Sequence, residues 1–133
     1  MGWWSEEILS GDQPLDAICD FQKIAKINTD KLDDLPEGHK RIDSFGFTSN
    51  RLRKHFKELT TFCFNKQYTD ERHTSFQALG QLCIITKTPL TKEEKIDFTS
   101  YAKDPRIKEW RSPEERRARI SEWATNIAAL PGI

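Results

Sequence analysis

Apolar residues recur at helical spacing through most of this chain, and the elements they predict are helices. Leu15, Ile18, Cys19, Phe21 or Gln22, Ile24, Ala25 and Ile27 give the first period, with Asp12 as a cap and Pro14 in the opening turn. That helix is expected to end near Asn28. From Thr29 to Asn50 no period is sustained, and Pro36, Gly38 and Gly46 mark a long loop with a short extended piece at Arg41 to Phe47. So long a connection in a compact domain is unusual unless it serves a function.

A second helix opens at Ser49 or Asn50, with Leu52, Phe56, Leu59, Phe62 and Cys63 on one stripe and Arg51, Arg53, Lys54 and Lys57 on the other. A third starts at Thr69 or Asp70 and carries Phe76, Leu79, Leu82, Cys83 and Ile85, with Gly80 inside it as the mark of a close helix contact. Thr91 and Glu94 form a capping box for a fourth, in which the hydroxyl and the carboxylate each satisfy a backbone donor of the other residue. Ile96, Phe98, Tyr101 and Ala102 follow, and Asp104-Pro105 stops that helix because the residue before proline avoids the helical region. Ser112 as cap, Pro113 in first position and Glu115 open the last helix, whose apolar face is Ile120, Trp123, Ala124, Ile127 and Leu130. Pro131-Gly132 ends it. The expected fold class is all-α: a compact single-domain bundle of about five helices over residues 1–133, with an irregular opening at 1–13 and a loop at 29–50.

Composition narrows the class. At 133 residues and 36% hydrophobic content the chain is long enough for one core and short for two. Its 21 basic and 21 acidic residues cancel, which disfavours nucleic acid or an anionic membrane as partner. The charge is unevenly placed, however. Residues 1–34 hold eight acidic side chains against Lys23, Lys26 and Lys31, whereas residues 103–119 hold seven basic ones against Asp104, Glu109, Glu114 and Glu115. Three cysteines, Cys19, Cys63 and Cys83, lie within apolar helical patterns and are expected to be reduced core thiols, which points to the cytoplasm. No run of about 18 apolar residues offers a membrane span, and the acidic opening has neither the basic nor the apolar region of a signal peptide.

The search for chemistry gives no catalytic motif, no cofactor and no metal site. His39, His55 and His73 are scattered, neither a H-E-x-x-H nor a C-x-x-C pattern occurs, and Gly38 and Gly46 are too isolated for a phosphate loop. The pairs Glu6-Glu7, Asp33-Asp34, Glu93-Glu94 and Glu114-Glu115 fall in loops or first turns of helices, where acidic groups oppose the helix dipole. The sequence therefore predicts no enzyme. The candidate contact residues are Arg51, Arg53 and Lys54 on the basic face of the second helix, Arg116 and Arg117 on the last, and the tryptophans Trp3, Trp4 and Trp110. Neighbouring side chains on extended backbone point in opposite directions, so either both Trp3 and Trp4 pin the terminus onto the body or one fills the core while the other stays available for contact; Trp123 belongs to the core.

Gly2-Trp3-Trp4-Ser5, then Gly11-Asp12 and Pro14-Leu15-Asp16, resembles the opening of a group of small phage proteins of unknown function. It is more distantly similar to a bacterial family opening Met-Gly-x-Trp-Gly. The likeness extends to Phe76-Gln77-Ala78-Leu79-Gly80 with Pro89-Leu90, and to the charged stretch from Asp104 to Arg119; Ser5 and the basic middle loop depart from it. The resemblance implies a phage or prophage origin and carries no activity. Small phage proteins without catalytic motifs often bind host machinery, so the first expectation is a cytoplasmic, non-enzymatic inhibitor or modulator of a host protein, a CRISPR effector being one example. The second is sequestration of a nucleotide-like small molecule, with Trp3 or Trp4 stacking on a base and Arg or Lys holding phosphates. An unrecognised enzyme drawing on the three histidines is the third.

Overall fold

The computed structural model describes residues 12–27, 45–105, 107–110 and 112–133; Trp3, Trp4, His39 and most of the 29–50 loop lie outside them. Within the described residues the fold is all-α, with six helices: α1 (Asp12–Ile24), α2 (Ser49–Lys54), α3 (Phe56–Phe64), α4 (Thr69–Thr86), α5 (Lys92–Thr99) and α6 (Pro113–Ala128). A single 3₁₀ turn, Ile107–Glu109, precedes α6.

The central element is α4, against which α1, α3, α5 and α6 all pack. Its buried residues run unbroken from Ser75 to Gly80 and resume at Leu82 and Cys83, so it is covered on most sides, as a helix inside a bundle must be. Phe21, Phe47, Phe76, Phe98 and Trp123 supply the largest buried side chains of the core. At Gly80 the Trp123 side chain of α6 comes close to α4: a Cβ there would stand 2.9 Å from Trp123 Cε2. The small residue leaves room for the indole against α4.

Local signals set several boundaries as the sequence predicts. Thr91 Oγ1 accepts from the Glu94 amide at 3.1 Å, and Glu94 Oε1 accepts from the Thr91 amide at 2.8 Å, which completes the capping box of α5. Lys95 Nζ donates to the carbonyls of Ala128 and Leu130 and so places a cation at the end of α6, where the helix dipole favours it. The Leu90 amide donates to the Pro131 carbonyl at 2.9 Å, tying the C-terminal residues to the start of the α5 region.

Other expectations are corrected. The predicted second helix is two helices, because the backbone leaves the helical region at His55 (φ −108°, ψ 15°), and its cap is Thr48 rather than Ser49 or Asn50. The first helix stops at Ile24, short of Asn28: Lys26 takes a left-handed conformation (φ 58°), and the Ile27 amide reaches back to the Gln22 carbonyl in a Schellman-type closure. The fourth ends at Thr99, before Asp104-Pro105, and Gln77 Nε2 from α4 takes the carbonyls of Tyr101 and Lys103 at 2.9 and 2.6 Å. Ser112 makes no side-chain cap bond to α6. Ile96 is exposed rather than packed, and so is Cys19, since α1 turns Ala17, Ile18 and Phe21 inward instead.

Candidate functional site

The arginines singled out from the sequence do not form one basic surface. Arg51 Nη1 donates to the Ala25 carbonyl at 2.9 Å and so ties α2 to the end of α1. Arg53 pairs with Glu94 at 2.8 Å and lies 4.4 Å above the Phe56 ring. Arg116, expected on the surface, is 2% exposed. Its Nε lies 3.4 Å from Asp104 Oδ2, its Nη2 donates to Gln77 Oε1 at 3.3 Å, and its guanidinium stacks 4.2 Å from the half-buried Trp110 ring. This cluster fastens the segment between α5 and α6 onto α4. Arg51, Lys54 and Arg117 of the basic set are exposed; Trp3 and Trp4 fall outside the described residues.

What the bundle leaves open instead is an aromatic groove of about 380 Å³. Arg53 of α2 with Phe56, Lys57, Thr60 and Phe64 of α3 form one bank, Glu94, Asp97 and Phe98 of α5 the other, and Phe76 of α4 contributes between them. The rings meet edge to face: Phe64 and Phe76 at 4.7 Å and 68°, Phe56 and Phe98 at 6.0 Å and 71°, Phe76 and Phe98 at 5.9 Å and 83°. Tyr101 stacks on Phe76 at 4.2 Å, and Phe98 contacts Trp123 edge to face, so the groove wall is continuous with the core. Phe64 stands 48% exposed at the groove.

The charged rim divides into satisfied and unsatisfied groups. Glu94 is taken up by Arg53 and by the Thr91 amide. The Lys57 and Asp97 side chains, both exposed, make no ion pair or hydrogen bond among the described residues. Among the described residues the groove therefore offers the Lys57 cation on the α3 bank and the Asp97 carboxylate on the α5 bank, beside the half-exposed Phe64 ring.

The remaining reactive groups are quiet. Burial pushes the Cys63 thiol far up, only partly offset by the charge of Lys66, and raises Cys83 to about 12 despite the charge of Arg53. Both thiols are neutral at pH 7, so a thiol-reactive reagent is expected to modify Cys19 alone in the native protein and all three cysteines once it is unfolded. Because the folded pKa values lie above those of the unfolded chain, the stability these thiols contribute is complete below about pH 8.5 and declines as pH rises and the unfolded chain ionises, by up to about 1.4 kcal/mol per pH unit for each thiol. Denaturant melts at pH 8 and pH 10 on the parent and on Cys63→Ala and Cys83→Ala variants measure this. His73 Nδ1 bonds the Thr69 carbonyl at 2.9 Å and its ring meets Tyr101, while His55 Nδ1 stands 3.7 Å from Glu58 Oε1. Among the described residues no three His, Cys, Asp or Glu side chains converge as metal ligands, and no helix is long and apolar enough to cross a membrane.

The groove was missed in the sequence because its rings come from three helices. The one local sign was Phe64, a phenyl ring set just off the stripe of Phe56, Leu59 and Cys63. Comparison with protein-family models, with curated proteins and with solved structures finds no match to the chain.

Proposed function

We propose that this is a non-enzymatic binding protein of phage or prophage origin that docks on a host protein in the bacterial cytoplasm and inhibits or modulates it, a defence complex such as a CRISPR effector being one such target. The observation that carries the reading is the groove with the Phe64 ring half in water at its edge: an exposed ring beside a concave surface is a usual anchor of a protein contact. The resemblance of the Trp-Trp opening supplies the provenance, and with it the choice of host machinery as partner. Sequestration of a nucleotide is less well supported, since Arg51, Arg53 and Arg116 are each engaged by a partner within the fold and the α5 bank of the groove carries Asp97, which repels phosphate.

The test is gentle purification of the tagged chain from its bacterial host followed by native mass spectrometry. A protein adduct at fixed stoichiometry is expected. Phe64→Glu is expected to weaken that complex by about tenfold or more, with Arg117→Glu, also exposed but remote from the groove lining, as control. A bound mass of a few hundred daltons, or a complex indifferent to Phe64, would count against the reading.

A further inference from the structure

We propose that the groove receives an aromatic side chain of the partner protein, carried on a segment with a carboxylate toward the α3 bank and a cation toward the α5 bank. This rests on the docking reading above and specifies what docks. The volume of about 380 Å³ suits one or two large side chains and is small for the face of a second globular domain. The ring it leaves open is Phe64, which meets the covered Phe76 edge to face at 4.7 Å, and an inserted ring extends that pattern from the exposed side of Phe64. A purely aliphatic anchor would leave that geometry unused.

The rim sets the flanking chemistry and the direction. Arg53 and Glu94 neutralise each other at 2.8 Å and the Glu94 carboxylate also closes the α5 cap, so neither has a charge to spare. Lys57 and Asp97 do, and they stand on opposite banks. A segment bearing two cations or two carboxylates meets one attraction and one repulsion; a segment with one of each, in one orientation, meets two attractions. Charge complementarity of this kind fixes register and excludes wrong partners. It also disfavours a phosphate-rich ligand, which Asp97 would repel.

The experiment places p-benzoyl-phenylalanine at Phe64, and separately at the exposed Glu122 on α6, in the full chain expressed in its host, then irradiates and maps the cross-linked segment by mass spectrometry. The expected result is a cross-link from position 64 to a partner segment that holds an aromatic residue with an acidic and a basic residue on its two sides. A synthetic peptide of that segment then binds the purified protein, loses about tenfold when its ring becomes Ala, and loses severalfold against Lys57→Glu or Asp97→Lys. Reversing the facing peptide charge restores binding to each. A cross-link from position 122 alone overturns the inference and leaves the docking reading standing. A segment without a ring, a peptide insensitive to its ring, or a cross-link to a second copy of this chain also overturns it. No complex by either probe overturns both.

Discussion

Replacing Arg116 by methionine is expected to lower the unfolding free energy by about 3–5 kcal/mol. The side chain is 2% exposed and its charge sits 3.4 Å from Asp104 Oδ2. Methionine fills much of the same volume but removes the cation, so the largely buried Asp104 carboxylate loses the Arg116 guanidinium and Gln77 Oε1 loses the Arg116 donor. The consequences spread because Gln77 is also the side chain that holds the Tyr101 and Lys103 carbonyls. Loosening it frees the whole connection between α5 and α6, including Trp110, whose ring covers the guanidinium. Arg116→Lys retains the charge without the forked donor geometry and should fall between the two. Arg117→Met, one residue along on the exposed face, should change stability by no more than about 0.5 kcal/mol. Urea unfolding of the three variants reads these differences directly; an Arg116→Met loss no larger than that of Arg117→Met would show that the cluster holds nothing together.

The same arginine shows how spacing and residue type can disagree. Arg116, Ile120, Trp123, Ile127 and Leu130 are separated by four, three, four and three residues, and all five are buried. The position of Arg116 was legible as core; its chemistry suggested surface, because a charged side chain is buried only where partners wait for it, and Asp104 and Gln77 come from elsewhere in the chain. Signals confined to one helix read through well: the Thr91–Glu94 capping box, the proline-led start of α6 and the contact glycine at position 80 are all local chemistry. Helix ends read poorly where the left-handed cap is a lysine. Lys26 and Lys87 both close helices at φ near 55° without the glycine that usually announces such a stop, and the compensation is the backbone closure that follows, Ile27 N–H to the Gln22 carbonyl and Thr88 N–H to the Cys83 carbonyl, each at 2.9 Å. The groove is tertiary throughout. Phe64, Phe76 and Phe98 lie on three helices, and only the assembled bundle decides that Phe76 and Phe98 are covered while Phe64 stays half in water.

The contact between Gly80 and Trp123 makes the second large prediction, and here the sign of an effect should reverse with context. In the native chain Gly80→Ala is expected to cost about 1–3 kcal/mol. Intrinsic helix preference runs the other way, since alanine is better than glycine by about 1 kcal/mol in a helix interior. The steric term wins because the new methyl would lie within van der Waals overlap of Trp123 Cε2 and Nε1, at 2.9 and 3.0 Å, and the fully buried indole has no room to withdraw. Trp123→Ala alone should cost about 3–5 kcal/mol through the cavity it leaves beside Phe98. In that background the obstacle is gone and only helix preference remains, so adding Gly80→Ala should be neutral or stabilising by up to about 1 kcal/mol. Gly132→Ala, where a Cβ meets nothing within 4 Å, controls for glycine replacement in general. A double-mutant cycle by denaturant unfolding measures the coupling. If Gly80→Ala costs the same with and without the indole, close approach of α4 and α6 is not the reason for glycine at this position, and backbone flexibility must be sought instead.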